Sequence, residues 1–188
     1  YLLHIGAANY KSYVYVNAKK VGEHEGGFTP FAFDVTDNLK VGRNSVVIGV
    51  DSEHEDDSVP TPVTDWKNFG GITRDVHLVR VPTTYISTYS IQLESSDIIK
   101  ANISLSGAEI NHREVTVRIP ELGVLVTGKT DSDGNITVKV KTPEDMKFWA
   151  PRNPMLYEVI VSTADETVSD RIGFRTIESV DGEILLNG

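Results

Sequence analysis

Residues 135–141 read NITVKVK, with Ile136, Val138 and Val140 alternating against Thr137, Lys139 and Lys141. A period of two places one buried and one wet face on a β-strand. The same alternation recurs along the chain. SYVYV sets Tyr13 and Tyr15 against Val14 and Val16, and SVVIGV puts Val46, Ile48 and Val50 on one face. ANISL groups Ala101, Ile103 and Leu105, and EVTVRI groups Val115, Val117 and Ile119. Turn signals separate these runs at Gly26-Gly27, at 41–44 (VGRN), at 131–135 (DSDGN) and at Asp181-Gly182. No amphipathic helix of ten residues or more stands out, and 143–146 suits one short turn at most. The pattern predicts an all-β chain.

Two units are expected. Residues 1–81 carry about four or five strand signals with long, glycine-rich and acidic loops between them. Pro82-Thr83-Thr84 reads as a linker. From Tyr85 to Ser179 come about seven closely spaced strand signals, the spacing of an immunoglobulin-like sandwich. The chain closes on VDGEILLNG, a turn, an apolar strand and then Asn187-Gly188. Asn-Gly is a strong hairpin signal, so the polypeptide is expected to continue.

A length of 188 residues suits one large or two small domains. The net charge of −9 argues against nucleic acid and against anionic membrane surfaces as partners. With no cysteine there is neither a disulfide framework nor a thiolate metal site, which fits a cytoplasmic or a bacterial periplasmic setting equally. No apolar run approaches the ~20 residues of a membrane span. The opening YLLHIGAANY has neither initiator Met nor leader features, the look of an excised piece.

Most catalytic signatures are missing. There is no Gly-x-Ser-x-Gly elbow, no thiol nucleophile and no phosphate-cradling glycine loop ahead of a helix. The five histidines, His4, His24, His54, His77 and His112, lack metal-pair spacing. DSEHEDD at 51–57 could hold a hard cation such as calcium, but a hydrated acidic loop reads more simply. DSDGN imitates the start of a calcium loop, yet position 140 is Val where the bidentate acid belongs, and a type I′ turn explains it. Many carboxylate pairs could be drawn for glycoside hydrolysis and the spacing selects none. Taken alone, the residues describe a β-rich, non-catalytic piece with no cofactor and no metal.

Four stretches carry a resemblance. YKSYVYVNAKKVGEHEGGFTPFAFDVTDNLKVGRNSVVIGVD is similar to the second half of the sugar-binding jelly-roll domain of glycoside hydrolase family 2. Its one departure is Ala18, where the family has glycine, which questions a tight hairpin turn there. WKNFGGITRDVHLV resembles the family's aromatic-x-Asn-Tyr-Gly-Gly-Ile-x-Arg-x-Val stretch, with Phe69 in the tyrosine place. FWAPRNPMLYEVIV resembles a strand of its immunoglobulin-like second domain, and DRIGFRTIESVDGEILLNG resembles the Gly-Phe-Arg junction leading to its catalytic barrel.

The resemblance implies half of a jelly roll at 1–82, an immunoglobulin-like β-sandwich at 83–179, and at 180–188 the first strand toward a barrel that carries the catalytic glutamates. It implies a hydrolase of carbohydrate metabolism, a retaining exo-β-glycosidase of the β-galactosidase and β-glucuronidase class. This segment would be inactive alone, and its partners would be a β-glycoside sugar, its own barrel and other copies of itself. Asp65 falls where some members place an acid near the sugar, and Asp51 matches another position lining the glycone pocket. Either could instead be a turn-capping carboxylate. Gly70 and Gly71 are expected to supply positive φ or close backbone approach, and Arg74 to pin a loop through carbonyls or a carboxylate. Two other readings stay open, a free-standing carbohydrate-binding module and a structural β-sandwich pair. The module would show a set of exposed aromatics, and Trp66, Phe69 and Trp149 form no evident set.

Overall fold

Val14 and Val16 are fully buried while Tyr13, one residue before them, is exposed and Tyr15 between them is half-buried, as the alternation requires. The computed structural model describes residues 1–59 and 61–188. Strands dominate it and two 3-10 turns interrupt them. It divides into two units, Tyr1–Val81 and Pro82–Gly188.

The first unit holds β1 (Leu2–Ile5), β2 (Ala8–Asn9), β3 (Lys11–Val16), β4 (Lys19–Glu25), β5 (Phe31–Asp34), β6 (Val46–Asp51), β7 (Gly71–Ile72) and β8 (Val76–Val79). Antiparallel pairing orders them β5-β1-β8, β4-β3-β6 and β2-β7. These eight exceed the expected four or five because β2 and β7 span two residues each and β1, β5 and β8 four. Runs that short show too little alternation to register. Leu3, Ile5, Ala8, Val14, Val16 and Val35 form the core. Gly22 permits it: a Cβ there would lie 2.1 Å from the Phe33 ring, so only glycine lets that ring cover β4.

The β3–β4 turn corrects the doubt over Ala18. Asn17 and Ala18 have φ of 50° and 65°, and Val16 pairs with Lys19, a two-residue type I′ hairpin. Asn17 holds it by donating its amide to the Asn38 carbonyl and the Asn44 side chain, each at 2.8 Å, while accepting from Ser45 N at 3.1 Å. The turn forms with a Cβ where none is preferred. Ala18→Gly should therefore stabilise the chain by about 0.5–1 kcal/mol, read as a higher denaturant midpoint at unchanged slope.

The second unit is a two-sheet sandwich. It contains β9 (Thr84–Ser95), β10 (Ile98–Gly107), β11 (Glu114–Ile119), β12 (Val124–Lys129), β13 (Asn135–Lys141), β14 (Tyr157–Ser162) and β15 (Thr167–Ile172). One sheet runs β13-β10-β9 and the other β12-β11-β14-β15. Alternate residues from both sheets meet in a core of fourteen buried side chains, among them Ile103, Ile119, Val159 and Phe174. The β12–β13 turn is not type I′. Gly134 alone in it has positive φ, its N–H reaches the Asp131 carbonyl at 3.2 Å, and the Asp131 carboxylate accepts from Asp133 N and Asn135 N. The acid is thus used as a turn cap.

The Gly-Phe-Arg run explains itself here. Phe174 is 1% exposed, with its ring 6.1 Å from that of Tyr157. A Cβ on Gly173 would come 2.7 Å from Trp149, and the Arg175 guanidinium sits 5.3 Å from the Trp149 ring centre. Beyond it, β16 (Ile177–Val180) and β17 (Glu183–Leu186) form a hairpin through Asp181 and Gly182, both at positive φ. Asn187 ties that hairpin down. It exchanges hydrogen bonds with the Thr176 backbone, both at 3.0 Å, and donates its amide to the Trp149 carbonyl at 3.1 Å.

Among the described residues the two core clusters differ in size, six buried side chains packed together in the first unit against fourteen in the second. Burial is the main favourable term in folding. Amides of β1–β8 should accordingly exchange hydrogen faster than those of β9–β15. Equal protection in a strict monomer would contradict this.

Candidate functional site

The end of β6 and residues 52–59 and 61–70 build the site, with β2 beside them. Asp51 closes β6: its carbonyl accepts from Tyr10 N at 2.8 Å and its carboxylate from Glu53 N at 3.0 Å. The chain then runs out to a loop that a small polar network folds back. Thr64 Oγ1 donates to the Trp66 carbonyl at 2.7 Å, Trp66 Nε1 to Asn68 Oδ1 at 3.0 Å, and Asn68 Nδ2 to Thr64 Oγ1 at 3.2 Å. Gly70 and Gly71 return it to the sheet, each for one of the expected reasons. Gly71 has φ +90°, and a Cβ on Gly70 would lie 2.5 Å from Ser52 Cβ.

Asn9 was not legible as a site residue. It is 2% exposed on β2, and its Nδ2 donates to the Phe69 carbonyl at 3.0 Å. That bond orients the amide, and Oδ1 is left buried with no partner. A buried acceptor without a donor costs roughly 1–3 kcal/mol. Such a group suits a ligand hydroxyl. Asn9 lines a cleft of about 250 Å³ with Phe28, Trp66, Lys67, Asn68, Phe69, Thr73 and Arg74. Trp66 is 61% exposed, Phe69 71% and Phe28 49%. Trp66, Phe69 and Trp149 form no set, since Trp149 belongs to the second unit, but Trp66 and Phe69 line one cleft together with Phe28, which the sequence did not single out. Their sequence separation, 28 against 66 and 69, hid them. Only an amide in the apolar run IGAANY hinted at Asn9.

Arg74 acts as expected, donating Nη1 to the Phe28 carbonyl at 3.4 Å and so tethering the Gly26–Phe28 loop to the cleft wall. A second depression of about 450 Å³ adjoins on the shared residues Trp66 and Asn68 and is lined also by Ser52, His54, Pro62, Thr64 and Gly70. Asp51 and Asp65 flank these hollows through their neighbours Ser52, Thr64 and Trp66, and neither lines one. The two acids differ. Asp51 caps the turn after β6, whereas Asp65 is exposed and makes no hydrogen bond or ion pair among the described residues. Among the described residues no three His, Asp or Glu side chains converge as a metal site, and within 51–57 Glu55 is paired to Lys11 at 3.0 Å. The arrangement can bind a polyhydroxylated ligand: rings offer apolar faces, amides and hydroxyls offer directed hydrogen bonds.

Comparison with known families places both units. Residues 2–82 match the sugar binding domain of the glycosyl hydrolases family 2. Residues 79–175, more than half of the chain, match the following domain of glycosyl hydrolases family 2. The chain belongs to glycosyl hydrolases family 2. A putative beta-glucuronidase of Formosa agariphila is 31% identical to this family 2 chain across all of it, and a beta-galactosidase of Thermoanaerobacter pseudethanolicus is 34% identical over 93% of it. The family 2 chain spans only 24% and 26% of those relatives' lengths. Among solved structures, a beta-glucuronidase of Bifidobacterium dentium in complex with coumarin-3-O-glucuronide shares the fold over the whole chain, at a TM-score of 0.86 and 24% identity, and the family 2 chain covers 38% of it. The beta-glucuronidase of Lactobacillus rhamnosus aligns over 99% of the chain and 34% of its own, with a TM-score of 0.74 and 26% identity.

Proposed function

We propose that residues 1–188 form the pocket-edge and scaffold part of a retaining exo-β-glycosidase, β-galactosidase-like in class, that acts on β-glycosides in carbohydrate metabolism. The observation that carries this reading is Asn9, which keeps a buried, unpartnered Oδ1 and lines a cleft with Phe28, Trp66 and Phe69. Family membership and relatives named beta-glucuronidase and beta-galactosidase support it. In this reading Asp65 projects from the loop toward the sugar, and Asp51 holds the loop's root rather than touching substrate. The two catalytic carboxylates, which protonate the leaving group and trap an oxocarbenium-like centre, are carried on a barrel outside residues 1–188. That barrel is the principal partner of both units.

The aromatic cleft favours a second reading, a carbohydrate-binding module that acts without a barrel. One comparison separates them. The purified 188-residue chain should give no turnover on aryl β-galactoside, β-glucuronide or β-mannoside reporters, while a polypeptide extended to the relatives' length should. Turnover by the short chain that disappears on mutating an acid within it would refute the proposal. An inactive extended chain that still binds sugar would favour the module.

A further inference from the structure

The outward face of β3 is built differently from its core face. Lys11, Tyr13 and Tyr15 alternate with the buried Ser12, Val14 and Val16. Register with β4 sets Glu25 opposite Lys11, Glu23 opposite Tyr13 and Lys20 opposite Tyr15. On the other flank, β6 sets Gly49 opposite Tyr13. That glycine has no structural reason to be one. It is not at positive φ, and a Cβ there would meet nothing nearer than the Tyr13 carbonyl at 3.9 Å. Its effect is to leave Tyr13 without a cross-strand side chain beside it on the β6 flank.

A hollow of about 280 Å³ is lined by Lys11, Tyr13, Glu23 and Glu25 of this face, together with Ser12 and His24 between them. Its carboxylates are held in place. Glu25 accepts from Tyr10 Oη at 3.1 Å and pairs with Lys11 at 3.5 Å. Glu23 accepts from Lys20 Nζ at 2.7 Å, which keeps it ionised by lowering its pKa, and Lys20 also sits 5.3 Å from the Tyr13 ring centre. Lys11 and Lys20 thus nearly balance Glu23, Glu25 and Glu55, so a charged ligand gains little. Each carboxylate keeps free lone pairs for further donors. A fixed carboxylate pair beside an open aromatic face suits one chemistry above others: neighbouring hydroxyls on a ring whose C–H face can lie flat on tyrosine.

We propose that this face is a second carbohydrate-binding surface, which takes a neutral β-linked pyranoside chain stacked on Tyr13 with hydroxyls donated to Glu23 and Glu25. It shares no lining residue with the Asn9 cleft and does not rest on the glycosidase reading. Cellotetraose and β-1,4-galactotetraose, titrated separately into the isotope-labelled 188-residue chain, test it through amide shifts. At least one should move Tyr13, Glu23 and Gly49. Tyr13→Leu and Glu25→Gln should each weaken that binding about tenfold or more. Gly49→Val places a side chain opposite Tyr13 where there is none and removes no contact, and it should abolish binding while leaving the fold intact. Trp66→Ala, in the other cleft, should leave the shifts of Tyr13, Glu23 and Gly49 in place. Tetragalacturonate should bind more weakly than either neutral chain. No shift at millimolar cellotetraose or galactotetraose overturns the proposal. So do shifts that survive Gly49→Val and vanish with Trp66→Ala, and so does a preference for tetragalacturonate.

Discussion

Replacing Asp65 with alanine in the longer glycosidase should lower kcat/KM about 10- to 200-fold and leave the melting temperature unmoved. A carboxylate accepting sugar hydroxyls makes charge-assisted hydrogen bonds worth ~1.5–3 kcal/mol, and each 1.4 kcal/mol is about a factor of ten in rate. The unmoved melting temperature follows from geometry, because Asp65 is exposed and caps nothing among the described residues. Asp51→Ala should behave oppositely. Its carboxylate holds Glu53 N at 3.0 Å, so its loss should appear as about 0.5–2 kcal/mol of stability, by analogy with other lost capping bonds, with kinetics nearly unchanged per folded molecule. Melting and kinetics on one preparation of each variant decide the matter. A lowered melting temperature beside an unchanged kcat/KM for Asp65→Ala would make it a structural residue only.

Phe174→Ala should destabilise the second unit by about 3–5 kcal/mol, the range for deleting a buried aromatic side chain. Phe174 is 1% exposed in the larger core, beside Tyr157, and its carbonyl holds Trp149 N at 2.8 Å. Removing the ring leaves a cavity that its neighbours fill only in part. Denaturant unfolding followed by Trp149 fluorescence measures the loss. A cost below about 1 kcal/mol would show that the site collapses freely. Arg175→Ala is the control one residue on. It removes an exposed cation–π contact, worth about 0.5–1 kcal/mol, and the exposed hydrogen bond from Nη1 to the Gly173 carbonyl at 3.2 Å, but no buried ring.

Both units were legible as β-sheet because NITVKVK, EVTVRI and SYVYV alternate over enough residues to reveal a period of two. The short strands of the first unit were not, since a two-residue strand such as β2 has no period. Turn chemistry was legible by residue type and misread in detail. Asn17-Ala18 closes a type I′ hairpin despite its alanine, held by side-chain amides from Asn17 and Asn44, while Asp131 converts DSDGN into a capped turn with one positive φ. At the candidate site, the roles of Gly70, Gly71 and Arg74 could be argued from backbone needs alone. Asn9 could not. Its importance lies in an acceptor left over once Phe69 has taken its amide, and a leftover bond depends on tertiary position, which no local pattern encodes.

Asn187 also bears on how the molecule ages. An Asn-Gly peptide loses ammonia when the following backbone nitrogen attacks the side-chain carbonyl carbon, and glycine offers that attack the least obstruction. Here the side chain is held at both ends, its oxygen accepting from Thr176 N and its nitrogen donating to the Trp149 carbonyl. Cyclisation must break both bonds and release the hairpin from the sandwich. Deamidation at this one peptide is therefore gated by local opening. Its slow accumulation during storage is a chemical clock that counts how often β16 and β17 come away.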